Sequence, residues 1–179
     1  TVSVIVHLGA KPVFADVLRD QSMDPQKLEK VITKKTKAII PVYLSGRISN
    51  MFKINKIAKK YKIPVIEDAA QAIGSKYFKK PSGSIGDIGC FSAHPLKNLN
   101  AIGDSGFITT NNKLIYEKIV ELRNHGMVKR DRINNFGYVS RMDNLQAAFL
   151  NFKLLNLDNI IFQRRKNAKI YLENLNLEK

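Results

Sequence analysis

Apolar and polar positions change period several times along the chain. Thr1–Leu8 (TVSVIVHL) is apolar and reads as the tail of a helix whose start lies upstream. Lys11–Val17 (KPVFADV) reads as a short strand ending at Asp16. Asp24-Pro25 is a helix start, with an N-cap and a proline at the first helical position. That helix continues through Leu28, Val31 and Ile32. Lys37–Tyr43 (KAIIPVY) is a nearly continuous apolar run, as a buried strand requires. Met51–Tyr61 spaces Ile54, Ile57, Ala58 and Tyr61 at helical intervals. Pro64–Asp68 (PVIED), Asp87–Ser92 (DIGCFS) and Gly106–Thr110 (GFITT) read as further strands. Lys113–Arg123 and Asn144–Leu157 read as helices, the second gathering Leu145, Ala148, Phe152 and Leu155 on one face. A last helix is predicted from about Asp158 to Leu175.

Strands alternating with helices predict βαβ units in an α/β fold: three layers, with a mainly parallel mixed sheet covered on both faces. In such sheets ligands bind beyond the carboxyl ends of the strands. That rule points to Glu67-Asp68, to the segment after Ser92 and to the loop after Tyr43. Gly83, Gly86, Gly89, Gly103 and Gly106 crowd between residues 80 and 106. Such a stretch makes tight turns and close backbone approaches, as active-site regions do.

Composition narrows the class. The chain has 179 residues, 44% apolar and 25% charged, which excludes a largely disordered chain. It is long enough for one domain or part of a larger one. No apolar run approaches the length of a transmembrane helix. Cys90 is the single cysteine, so no internal disulfide forms, and no Cys/His cluster has zinc-ligand spacing. No metal is expected, and a reduced, cytoplasmic setting is the default. Thr1–Leu8 lacks the basic flank and length of a signal peptide. A start at Thr1 and a stop at NLNLEK read as a piece of a longer protein.

The 30 basic and 15 acidic side chains give a formal charge of +15. Nucleic-acid binding is one reading of that excess. The clusters are dispersed, however: Lys34-Lys35, Lys59-Lys60, Lys79-Lys80 and Arg164-Arg165-Lys166. No aromatic residues interleave with them as a stacking platform would require. A solvated lysine-rich surface is the simpler reading.

Two residues stand out chemically. Asp68 ends an apolar strand, where a partly buried carboxylate calls for a cation. Its partner is either a structural lysine or arginine, or the protonated ring nitrogen of a cofactor. Lys97 sits in HPLKN, just past the strand ending at Ser92. It is either a solvated lysine or one poised to form a Schiff base. Asp87 and Asp104 read as local fixers of glycine-rich turns, and His125 as a turn former. Arg141 and Asp143 read as an ion pair at a helix start. Cys90 reads as a small apolar strand residue, and His94 as a packing or orienting group.

Taken together, the segments EDAAQA (67–72), GDIGCFSAHPLKNL (86–99), GDSGFITT (103–110), RNHG (123–126) and GYVSRMDNLQAA (137–148) resemble one family in order and spacing. PVYLSGRISNM (41–51) is similar to the same family's PVHLxGxxxDM. That family is DegT/DnrJ/EryC1/StrS, the pyridoxal-phosphate-dependent sugar-nucleotide aminotransferases. The resemblance covers essentially the whole chain.

The resemblance implies roles. Lys97 matches the lysine that holds pyridoxal 5'-phosphate as a Schiff base, and Asp68 the aspartate that pairs with its ring nitrogen. Gln71 matches the glutamine that contacts the ring hydroxyl, and Ser92 a serine that binds the phosphate. Lys97 also argues against the dehydratase branch, which has histidine there. The implied fold is the large domain of a fold-type I pyridoxal-phosphate enzyme. Residues 1–179 would be part of it, lacking its N-terminal segment and the C-terminal small domain. The implied reaction takes a nucleotide-linked keto-sugar to an amino-sugar, with glutamate as donor, in a homodimer. Its product would serve polysaccharide or glycosylated-metabolite synthesis. Two positions depart from the pattern: Val139 replaces the asparagine that reaches the partner subunit's cofactor phosphate, and Tyr43 replaces a histidine. They leave open a catalytically silent, cofactor-binding regulatory member.

Overall fold

The computed structural model describes residues 1–175. In chain order the elements are α1 (Val2–His7), α2 (Pro25–Val31), a 3-10 turn (Leu44–Gly46) and α3 (Met51–Tyr61). Then come β1 (Ile66–Asp68), β2 (Lys76–Tyr77), β3 (Lys80–Pro81), β4 (Ile88–Ser92) and β5 (Gly106–Thr109). The remainder is α4 (Lys113–Leu122), β6 (Met127–Lys129), β7 (Arg132–Ile133), α5 (Asn144–Leu154) and α6 (Leu157–Asn174). The α/β class with a mixed sheet is as expected.

The helix starts follow from their caps. Asp24 accepts the Gln26 N–H at 2.8 Å, with Pro25 opening α2. Asn50 caps α3 through the Lys53 N–H, and Asn112 caps α4 through those of Leu114 and Ile115.

The main sheet has the order β1-β4-β5, with β4 parallel to β1 and antiparallel to β5. Lys37–Tyr43 runs beside β1 in parallel but makes only bridges, Ile39 to Val65 and Val42 to Asp68. Proline is the reason. Ile39 and Tyr43 donate to the carbonyls of Pro64 and Asp68, while Ile66 and Asp68 donate to those of Ile39 and Pro41. Pro41 has no N–H, so one rung of this ladder is missing. The expected strand at Lys11–Val17 is absent. Only Val17 bridges, to Met23 across a turn, so the extended segment has no ladder to join.

Strand alternation separates the two faces of the sheet. Ile39, Tyr43, Val65, Glu67 and Phe91 share one face, buried under Leu28 of α2 and Met51, Ile54 and Ala58 of α3. Asp68, Cys90 and Ser92 share the other face, which the described residues leave half-open. A second apolar cluster joins Ala93, Leu99 and Ala101 to Leu150 of α5 and Leu157 of α6. Leu145 and Phe152 of α5, and Leu155 just past its end, are exposed instead. The stripe of α5 that packs begins at the polar Gln146, which is why the apolar spacing marked a different face.

Candidate active site

Asp68 is half-buried at the carboxyl end of β1, in register with Cys90. Its Oδ1 accepts the Ala70 N–H at 3.2 Å, and its Oδ2 accepts the Thr1 hydroxyl. No lysine or arginine pairs with it among the described residues. The structural alternative, a cationic side chain on Asp68, is therefore not realised within them.

Gln71 lies in the turn that follows. Its Oε1 accepts the Ser45 N–H at 2.7 Å, where Ser45 is held at φ 53°. The donor on Ser45 settles which end of the amide faces it, so the Gln71 NH2 points elsewhere with two donors available.

Ser92 ends β4, half-buried and on the Asp68 face. Its Oγ accepts the His94 N–H at 3.3 Å, leaving the hydroxyl proton free to donate. The chain then turns. His94 Nδ1 accepts the Leu96 N–H at 3.2 Å, and the His94 carbonyl accepts the Lys97 N–H at 2.8 Å. With Nδ1 an acceptor, the imidazole proton sits on Nε2, 3.7 Å from Asp104. Lys97 is half-buried, and its amine pairs with no carboxylate among the described residues.

The loop bearing Lys97 is anchored at its far end. Ala101 donates to the Ala93 carbonyl, and Ala93 to that of Ser105, both at 2.8 Å. Gln146 Oε1 accepts the N–H groups of Ile102 and Gly103 at 2.9 and 3.3 Å. Lys153 of the same helix contacts Asn100. The four candidate residues, Asp68, Gln71, Ser92 and Lys97, thus lie at or just beyond the carboxyl ends of β1 and β4, where the parallel-sheet rule directs attention.

Several sequence readings need adjustment. Asp87 does not fix its own turn; its carboxylate accepts the Val65 N–H at 2.8 Å, across to the start of β1. Asp104 is exposed, with its Oδ1 3.7 Å from His94 Nε2. Arg141 and Asp143 form no ion pair among the described residues. His125 does shape a turn, at φ 59°. Val139 is exposed and bridges to Asn124. Burial, and then the nearby Asp68 and Glu67 carboxylates, push the Cys90 thiol above its ordinary range.

Sequence reasoning grouped Glu67 with Asp68 at the ligand end of the strand, missing that it faces the core, and passed over Gln146. Glu67 is fully buried, and its Oε2 accepts the Tyr43 hydroxyl at 2.9 Å. Burial, then that carboxylate, drive the phenol far above its usual range. The available signal was a charge at a core-facing position of an apolar strand.

Residues 1–178 match the pattern of the DegT/DnrJ/EryC1/StrS aminotransferase family. The chain belongs to that family. It is 44% identical over 172 residues to a UDP-2-acetamido-2-deoxy-3-oxo-D-glucuronate aminotransferase of Pseudomonas aeruginosa, covering 96% of this chain and 48% of that protein. A "pleiotropic regulatory protein" of Geobacillus stearothermophilus is 45% identical over 172 residues, covering 96% and 46%. The fold matches that of DesV from S. venezuelae, solved with a ketimine intermediate, at a TM-score of 0.93 and 34% identity, over 98% of this chain and 47% of that one. A sugar-aminotransferase candidate of Streptococcus pneumoniae in its PLP form superposes at 0.87 with 29% identity, over 96% and 50%. The chain spans about half the length of the relatives it matches. No helix among the described residues is long and apolar enough to cross a membrane.

Proposed function

We propose that this chain is the cofactor-carrying part of a pyridoxal-phosphate-dependent aminotransferase that converts a nucleotide-linked keto-sugar to an amino-sugar. Glutamate is the amino donor, and the working unit is a cytoplasmic homodimer of the longer subunit. The observation that supports this most is the pair Asp68 and Lys97. Each is half-buried, at or just beyond a strand's carboxyl end and without an ion pair among the described residues, and both lie within a matched family pattern.

The donor set fits the cofactor. Asp68 is an anion for a protonated ring nitrogen, and the Gln71 amide donates to a ring oxygen. The Ser92 hydroxyl donates to a phosphate, a charge-assisted bond stronger than a neutral one. Lys97 offers the amine to which an aldehyde attaches. When bound, pyridoxal phosphate supplies an electron-withdrawing ring that takes up the electron pair left by a broken C–H bond. Asp68 would hold the proton on the ring nitrogen and so keep that capacity high. The Lys97 amine, when not attached to the cofactor, would be the base that takes the proton from the donor's α-carbon onto Nζ. His94 and Gln146 hold the loop that presents that amine.

The test uses the complete protein, purified with pyridoxal phosphate. A visible absorbance band that bleaches with glutamate, with borohydride trapping the cofactor on Lys97, supports the assignment. No band, or trapping at another lysine, overturns it. The second reading, a silent regulatory member, rests on Val139 and on the name of the Geobacillus relative. It predicts a band that no amino donor changes.

A further inference from the structure

Glu67 is fully buried and makes no ion pair among the described residues. Four donors converge on its carboxylate. Oε2 takes the Tyr43 hydroxyl at 2.9 Å and the Gly83 N–H at 2.7 Å. Oε1 takes the N–H groups of Ile85 and Gly86 at 2.7 and 2.5 Å. An isolated buried carboxylate is costly, and hydrogen bonds to its charged form offset that cost. Nothing in the proposed reaction uses Glu67 directly, since strand alternation turns it to the face opposite Asp68.

The arrangement has a mechanical sense. Residues 41–45 hold Asp68 and Gln71 at three points. The Tyr43 N–H donates to the Asp68 carbonyl, and the Asp68 N–H donates to the Pro41 carbonyl, both at 3.0 Å. The Ser45 N–H donates to Gln71. Yet this segment is one rung short against β1, because Pro41 leaves the Ile66 carbonyl without its ladder donor. The Tyr43–Glu67 bond lies beside that gap and ties the same two strands through side chains. Three backbone donors from the 83–86 loop fix the other side of the carboxylate. Gly86 leaves the room this needs: a Cβ there would meet the Val65 carbonyl at 2.8 Å and Glu67 Cγ at 3.2 Å.

We infer that Glu67 and Tyr43 are a positioning pair, whose buried phenol–carboxylate bond sets residues 41–45 against β1 and thereby places Asp68 and Gln71. The inference rests on the reading of those two residues as cofactor contacts.

The test compares three forms of the complete protein: wild type, Tyr43→Phe, and Leu28→Ala. The last lies on α2, in the apolar cluster that covers the Tyr43–Glu67 face, and serves as a control that loosens this core without removing the phenol–carboxylate bond. Three quantities are read: the melting temperature, amide hydrogen exchange at residues 66–72 without cofactor, and the affinity for pyridoxal phosphate by fluorescence titration. Tyr43→Phe is expected to speed exchange at 66–72 and weaken the affinity about tenfold, the worth of one good hydrogen bond. Leu28→Ala is expected to lower the melting temperature at least as far, to speed exchange at 66–72 no more than that loss of stability requires, and to leave the affinity unchanged. Glu67→Gln keeps the side chain's shape and should reproduce the Tyr43→Phe pattern more strongly. Equal exchange and equal affinity in Tyr43→Phe and Leu28→Ala would overturn the positioning role. If wild type binds no pyridoxal phosphate, the proposed function fails, and exchange at 66–72 alone decides whether the pair positions that segment.

Discussion

Gln71 and Ser45 meet through one bond, from the Ser45 N–H to Gln71 Oε1 at 2.7 Å, and that bond orients the amide. The oxygen is committed to backbone, so only N–H donors remain to face a ligand. Gln71→Glu keeps an acceptor for Ser45 and removes both donors. It should fold normally and bind pyridoxal phosphate about tenfold more weakly, from one lost hydrogen bond plus a new negative charge. A fluorescence titration reads this directly. Unchanged affinity would remove Gln71 from the cofactor contacts.

On the proposed function, Lys97 carries covalent attachment and Asp68 electronic tuning, and variants of the two should separate these effects. Lys97→Ala should abolish borohydride trapping and lower turnover at least about 100-fold, the usual scale for losing a proton-transfer group. Its melting curve without cofactor should stay near wild type, since no partner of the amine is lost. Asp68→Asn should retain cofactor and trapping yet lose most of the rate, because a neutral amide holds a ring proton poorly. An Asp68→Asn enzyme with wild-type turnover would make Asp68 structural only.

Much of this was legible in the chain, for identifiable reasons. Helix starts at Asp24 and Asn112 are local chemistry, a side-chain oxygen and the next N–H groups. The existence of β1, β4 and β5 follows from apolar runs set off by proline and glycine; their pairing in the sheet does not. What escaped was tertiary. The run over residues 37–43 lies along β1, but Pro41 takes out its central rung and leaves only bridges, so single-residue chemistry overrides the apolar run. The packing stripe of α5 starts at Gln146, a polar residue chosen by the loop it holds. Glu67 looked like an extension of the Asp68 motif, while its partners lie 16–24 residues away along the chain. Such partners depend on register, which no local pattern fixes.

Gln146 offers a test of the loop's anchoring. Gln146→Leu removes the acceptor for Ile102 and Gly103 and leaves the Leu150–Leu157 contacts in place. Ile102 is exposed, so water replaces its lost bond, and the cost should be about 1 kcal/mol. Hydrogen exchange at residues 100–105 should rise while that in β4 does not. Turnover should fall further than stability, since the same loop carries Lys97. Unaltered exchange across 100–105 would mean that the apolar contacts of Leu99 and Ala101 alone hold the loop.

Alkaline pH probes the buried phenol and thiol together. Cys90 and Tyr43 are both raised from ordinary values of 9.0 and 10.0, by burial first and by the Glu67 and Asp68 carboxylates next to Cys90 and the Glu67 carboxylate beside Tyr43 second. The folded chain therefore keeps both protons at pH values where the unfolded chain releases them. The unfolded state then binds fewer protons, so stability falls as pH rises. Their contribution is complete below about pH 9 and is lost progressively above it. Tyr43→Phe should lower the melting temperature at pH 8 by removing a hydrogen bond, yet flatten its decline between about pH 9 and pH 11. Cys90→Ala should flatten the lower part of the same decline. Parallel curves for wild type and Tyr43→Phe over that range would show that the phenol ionises without unfolding the site, and that the Tyr43–Glu67 bond is looser than its geometry implies.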